Sequence, residues 1–282
     1  MESIEKKIYQ DITDAPIGVF DSGVGGLTVA REIMRQIPRE RITYFGDTAR
    51  VPYGTKSKET IIRYSRQIIR FLKTRGVKAI VVACNTASAF ALEELRPEVD
   101  IPIIGVVKPG AKVAAEATRN GRIGVIGTEG TIGSGIYPQF IREIRPEVTV
   151  LGKACPLFVS LVEEGWWKDE VTTMVAKRYL EELSASEIDT LILGCTHYPL
   201  LRSTLSEIMG DQVTLVNPAY ETAISLRTLL EEQGIANRGH DKHGENPYEF
   251  FVSDAAERFK RFAGSILPFD ITATRQVRIE EY

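Results

Sequence analysis

Short, almost wholly apolar runs of four or five residues, separated by longer segments of helical period, constrain this chain more than any other feature. Residues 17–20, 42–45 and 79–83 are apolar at nearly every position, Thr43 being the exception, rather than at alternate positions, as expected of strands covered on both faces. Helical segments follow them at 27–36, 58–74 and 88–95, and in the second of these Ile61, Ile62, Ile68, Ile69 and Leu72 fall on one stripe. Strands alternating with helices predict an α/β protein with mainly parallel sheets.

The order then recurs. Ile123-Gly124-Val125-Ile126 and its turn Gly127-Thr128-Glu129-Gly130-Thr131 echo Ile17-Gly18-Val19-Phe20 and its Gly-rich turn, 106 residues further on. Leu191-Ile192-Leu193-Gly194-Cys195-Thr196-His197 echoes Ile80-Val81-Val82-Ala83-Cys84-Asn85-Thr86 at an offset of 111. Two echoes in the same order predict two related, pseudosymmetric α/β lobes. From about Asn217 the tail carries a helical stretch at 221–233, a polar loop at 236–246 and a late strand at 248–252. A separate domain of ~65 residues would have a meagre core, so the tail is assigned to the first lobe. The expected division is 1–108 with 217–282 for the first lobe and 109–216 for the second.

Composition narrows the function classes. A length of 282 residues suits two compact units, and 43% hydrophobic with 26% charged residues are globular proportions. No apolar stretch approaches the ~18 residues of a spanning helix, so no membrane partner is expected. Thirty-five basic against 38 acidic residues give a net charge of −3, which offers no basic field for nucleic acid. The first 20 residues mix charged and polar groups where a secretory signal needs an apolar run of about 7–15. The three cysteines, Cys84, Cys155 and Cys195, form neither an even disulfide framework nor a CxxC pair. Reduced thiols in the cytoplasm are the expectation.

In open α/β sheets ligands bind beyond the carboxyl ends of strands, and both Cys84 and Cys195 sit at such ends. If the lobes face each other about a pseudo-twofold axis, two thiols flank one ligand in the cleft between them. That arrangement suits removal of a proton from one face of a carbon and delivery of another to the opposite face, which is stereochemical inversion. A thiol near pKa 8.5 can be shifted either way by its neighbours, and each turnover needs one thiolate and one thiol. A helix N-terminus after each Cys is expected to lower the cost of the thiolate. Asp21-Ser22 stands beside one thiol and His197 beside the other, as groups that accept or relay its proton. Side chains after each Cys and backbone N–H groups of the turns offer donors to a substrate carboxylate.

Other readings stay open on the residues alone. Cys155 has no counterpart in the other lobe and is expected to be packing. The turn DSGVGG lacks the spacing of a dinucleotide fingerprint, and Asp21 could equally cap the following helix. Asp47 is read as an anchor for the loop carrying Tyr53. His240 and His243 fall in a solvated loop with only a faint metal-tract pattern, so no metal site is predicted. At least one of Trp166 and Trp167 is expected to pack into the core, and Lys108 to face solvent.

Ile17 to Thr28, Gly46-Asp47-Thr48, Val51-Pro52-Tyr53-Gly54, Cys84-Asn85-Thr86-Ala87 and Leu193 to Leu201 together resemble the glutamate racemases of the bacterial cell wall. The resemblance spans most of the chain. It implies interconversion of L- and D-glutamate by two cysteine bases without a cofactor, with D-glutamate feeding peptidoglycan synthesis. By that likeness Cys84 acts on D-glutamate and Cys195 on the L isomer, with Asp21 and His197 as their proton partners. Ser22, Pro52, Tyr53, Gly54, Asn85, Thr86 and Thr196 match substrate-holding positions, together with Asp21 and His197. The segment Cys155 to Gly165 matches the loop that brings an acidic residue near the site, a role given to Glu163 with Glu164 as the alternative. A homodimer is left open.

Three function classes remain to be told apart: an amino-acid racemase acting on glutamate or, less in keeping with the motifs, aspartate; a thiol hydrolase or transferase using Cys195 and His197; and a binding protein for a small dicarboxylate. Cys84 separates the first two, because a hydrolase has no use for a second thiol. Exchange of the α-hydrogen separates catalysis from binding.

Overall fold

The computed structural model describes residues 11–239, 247–269, 271 and 273–282. The first sheet contains β1 (Ile17–Asp21), β2 (Ile42–Gly46), β3 (Ala79–Val82), β4 (Ile103–Gly105), β9 (Tyr248–Val252) and β10 (Thr274–Gln276). The second contains β5 (Arg122–Gly127), β6 (Thr149–Ala154), β7 (Thr190–Gly194) and β8 (Thr214–Val216). Their orders are β10-β9-β2-β1-β3-β4 and β6-β5-β7-β8, with every pairing parallel. The repeat is visible in these orders: β2-β1-β3-β4 and β6-β5-β7-β8 have the same connectivity. Register follows suit, with Ile17 opposite Ile42 and Ala79, and Ile123 opposite Val150 and Thr190. Of the tail, β9 pairs with β2 and β10 with β9, extending the first sheet at one edge.

Burial explains why these strands read as continuous apolar runs. β1, β2, β3 and β7 are buried at every position. Ile17, Val19, Ile123, Val125 and Ile192 share a core between the two sheets with Leu27, Ala111 and Leu226 of the helices there. Their strand neighbours point the other way. Phe20 and Val82 pack under helix Lys58–Thr74, and Ile126 and Leu193 under helix Glu170–Ala185. Each fully buried aliphatic or aromatic side chain of this kind contributes roughly 1.5–3 kcal/mol.

Two local expectations are corrected. The helix after β3 begins at Asn85 rather than at 88, because Cys84 is its N-cap and its sulfur accepts the Ala87 N–H at 3.4 Å; it runs Asn85–Phe90, followed by Leu92–Leu95. After β7 no α-helix starts directly. A turn leads into the 3-10 helix Tyr198–Leu201, with Pro199 in its first turn, and the α-helix Arg202–Met209 follows. A helix N-terminus therefore follows Cys84 directly, and Cys195 has a turn instead. The solvent-facing expectation for Lys108 agrees with its exposure. Trp167 packs against the second lobe's outer core and donates to the Val162 carbonyl at 2.8 Å, while Trp166 is exposed. His240 and His243 lie outside the described residues.

Candidate active site

Three strand ends build the site. β1 delivers Asp21 and Ser22, β3 leads through Ala83 to Cys84, and β7 leads directly to Cys195. A cavity of about 160 Å³ is lined by Cys84, Asn85, Thr86, Ser22, Pro52, Tyr53 and Gly54 from the first-sheet side and by Cys195, Thr196, His197 and Glu163 from the second. Of the catalytic and substrate-holding residues read from sequence, leaving aside Glu164 as the alternative to Glu163, Asp21 alone does not line it. Its side chain is fully buried behind Ser22 and Gly23, with Oδ2 accepting the Gly23 N–H at 3.0 Å and Oδ1 without a hydrogen-bond partner. Cys155 is buried in the outer core of the second sheet and does not line the cavity. Glu164 does not line the cavity; Glu163 does.

The two thiols have different surroundings. Cys84 donates to Ser22 Oγ at 3.8 Å. Burial, reinforced by the Asp21 carboxylate, pushes its thiol up to about 12, and the Ala87 N–H and Ser22 only partly oppose this. The expected help from a helix N-terminus is thus outweighed by desolvation on that side. Cys195 instead lies 3.7 Å from Nδ1 of His197, whose Nε2 is 3.1 Å from Glu163 Oε1. Burial works against the charged imidazole, but hydrogen bonds to Cys195 and Glu163 prevail and raise the His197 pKa to about 10. Glu163 in turn accepts from Arg258 through its other oxygen at 3.2 Å. Burial raises the Asp21 carboxyl above its ordinary range, with His197 and the turn N–H groups pulling it down.

The remaining walls are held from behind. Tyr53 donates its hydroxyl to Asp47, which also accepts from Arg50 at 2.8 Å and from Ser253 at 2.9 Å. Asp47 thus anchors Tyr53 without touching the cavity. Thr86 meets Thr128 at 2.9 Å and Thr131 at 3.1 Å, joining the two sides through hydroxyls. Sequence reasoning missed Thr128, Val51, Val159 and Ser160, which also line the cavity. The signal for Thr128 was present: it stands 106 residues after Ser22, at the offset of the first echo. Among the described residues, no group of three or more His, Cys, Asp or Glu side chains could hold a metal ion. No helix among them is long and apolar enough to cross a membrane.

The site therefore offers two sulfurs from equivalent strands, one with a neutral hydroxyl neighbour and one with a charged imidazole, above a floor of hydroxyl, amide and backbone donors. The sequence profile of the Asp/Glu/Hydantoin racemase family matches residues 17–223. The chain belongs to that family. As a racemase it has close relatives of known name: it is 52% identical over 264 residues to the glutamate racemase of Geobacter metallireducens, covering 94% of this chain and 97% of that one. Among solved structures, the glutamate racemase isoform RacE1 of Bacillus anthracis is 43% identical, with a TM-score of 0.89 over 94% of this chain and 98% of that one. The glutamate racemase of Francisella tularensis, solved with D-glutamate, is 38% identical, with a TM-score of 0.88 over 96% and 100%.

Proposed function

We propose that this racemase interconverts L- and D-glutamate by two-base proton transfer between Cys84 and Cys195, using no cofactor and supplying D-glutamate for peptidoglycan. The observation that carries this reading is that the two thiols, each just past the end of an equivalent strand, line one cavity. The names of the relatives support glutamate as substrate. The two lobes of this reading are 1–108 with 217–282, and 109–216.

Roles follow from the surroundings of each sulfur. Cys195, in contact with an imidazole that stays charged, takes the α-proton of L-glutamate, because His197 offsets negative charge on the sulfur. Cys84, held neutral by burial, delivers a proton to the opposite face. Reversal of these roles converts D-glutamate. Asp21, one layer behind Ser22, adds to burial in keeping the Cys84 thiol protonated for delivery, while Glu163 keeps His197 oriented and charged. Asn85, Thr86, Thr196, Ser22 and the backbone of Pro52, Tyr53 and Gly54 hold the two carboxylates and the ammonium. A site that pairs both carboxylates rejects an analogue lacking one by a wide margin.

The test is the circular dichroism of L-glutamate incubated with the protein and no added cofactor, with L-aspartate in parallel. Decay of the glutamate signal to zero, with aspartate unchanged, is the expected outcome. A stable glutamate signal would overturn the reading.

A further inference from the structure

We propose that Tyr137, which is not part of the cavity wall, is a positioning residue that fixes the Asn85 side chain for substrate binding, a role that rests on the racemase reading above. Tyr137 lies on helix Ile136–Ile144, on the second-sheet side, and is 1% exposed. Its hydroxyl donates to Asn85 Oδ1 at 2.7 Å. Asn85 directly follows Cys84 and lines the cavity, and among the described residues its Nδ2 hydrogens have no protein acceptor. The Tyr137 ring lies against the other thiol's strand: a Cβ on Gly194, the residue before Cys195, would meet its Cε2 at 3.2 Å. One rigid side chain thus touches the residue after one sulfur and the residue before the other.

The physical consequence concerns the amide. An asparagine presents an acceptor and a donor that exchange places when the side chain flips. Tyr137 biases that choice, because a flipped amide could still donate to the phenol oxygen but would leave the buried phenol hydrogen without an acceptor. Burial raises the phenol pKa, so the group remains a donor throughout the working pH range. The amide N–H2 is therefore left pointing into the cavity, where it can donate to a substrate carboxylate. Phenylalanine would fill the same core space; the hydroxyl's single described partner is Asn85. Because the ring is seated on the second sheet, the amide is aligned only while the two sheets are docked on each other.

The experiment is a double-mutant cycle on the full chain with Tyr137→Phe, Asn85→Ala and the pair, measuring kcat and KM for both glutamate isomers and the melting temperature. Tyr137→Phe should raise KM about fivefold to tenfold, change kcat less than about threefold, and leave the melt within a few degrees. Asn85→Ala should raise KM at least as much. In the Asn85→Ala background, Tyr137→Phe should move KM by less than about twofold, since the hydroxyl then has nothing to align. An unchanged KM in Tyr137→Phe, an unchanged KM in Asn85→Ala, or a full Tyr137→Phe effect persisting without Asn85 would each overturn the proposal. A wild-type protein that racemises neither isomer would overturn it together with the functional reading, and is distinguished from those outcomes by the wild-type assay alone.

Discussion

Gly25 and His197 approach so closely that a Cβ on the glycine would stand 2.6 Å from the imidazole Nδ1 and Cε1, and 2.4 Å from Thr196 Oγ1. The Gly-rich turn after β1 therefore clears room for the Cys195 segment of the other sheet. Thr28 closes the same seam, donating its hydroxyl to the Thr196 carbonyl at 2.9 Å. Gly25→Ala forces Thr196 and His197 to move, and neither is a loose surface group. We expect kcat/KM to fall about 100-fold or more, as a displacement near 1 Å does in a catalytic site, with a smaller loss of melting temperature. Near-normal kcat/KM would show that the seam adapts without cost.

How far this arrangement is legible in the sequence depends on whether it lies within one element or between two. The strands at 17–20, 42–45 and 79–83 and the helices at 27–36 and 58–74 are set by local apolar pattern, and the structure agrees with them to within a residue at each end. The helix start at Asn85 was hidden because capping by a cysteine sulfur is an unusual device. The twin positions of Cys84 and Cys195 were legible through the echoes, and so was Thr128 as the counterpart of Ser22. The choice between Glu163 and Glu164 was not, since it depends on which side of helix Leu157–Glu163 meets His197. The retreat of Asp21 behind the wall and the Tyr137 contact with Asn85 are likewise matters of packing between distant segments, which no local pattern encodes.

Each thiol should be needed for inversion but not for proton abstraction alone. Cys84→Ala and Cys195→Ala should each lower racemisation by about 10³-fold or more. With a glutamate analogue bearing chloride at the β-carbon, the surviving thiolate can remove the α-proton while chloride leaves, giving an enamine that tautomerises to an imine and hydrolyses to the keto acid and ammonia. Chloride and ammonia release by the single variants, with no racemisation of glutamate, is the expected pattern. Full racemisation by Cys84→Ala would contradict it.

Asp21 and His197 serve different thiols, so their loss should be directional. L- and D-glutamate are mirror images of equal free energy, which makes kcat/KM identical in the two directions for every variant; direction can appear only in kcat and KM separately. His197→Asn should lower kcat more when L-glutamate is the starting isomer, whereas Asp21→Asn, which removes a charge that opposes the Cys84 thiolate, should change kcat unequally in the two directions without a preferential loss from D-glutamate. Matching losses of kcat in both directions would remove the assignment.

The Glu163 to His197 contact carries a pH signature. His197 has a folded pKa raised from 6.5 to about 10, so its contribution to stability is complete below 6.5 and is lost as pH rises through about 10. The Glu163 carboxyl, burial notwithstanding, is held below its ordinary 4.5 by His197 and Arg258, so its contribution is present above 4.5 and lost as pH falls through the lowered value. The difference in melting temperature between the wild type and Glu163→Gln should be greatest between about pH 5 and 6.5 and shrink on both sides. A difference that does not vary from pH 5 to 10 would mean that the imidazole is not held charged by this carboxylate.

The most direct measurement of the central claim is the fate of hydrogen during early turnover of L-glutamate in deuterium oxide without added cofactor, followed by chiral separation and mass spectrometry. Two distinct thiols working on opposite faces should give D-glutamate carrying one solvent deuterium at the α-carbon, while the recovered L-glutamate is still unlabelled. D-glutamate that retains the substrate's own hydrogen, or L-glutamate that gains deuterium as fast as product forms, would contradict it.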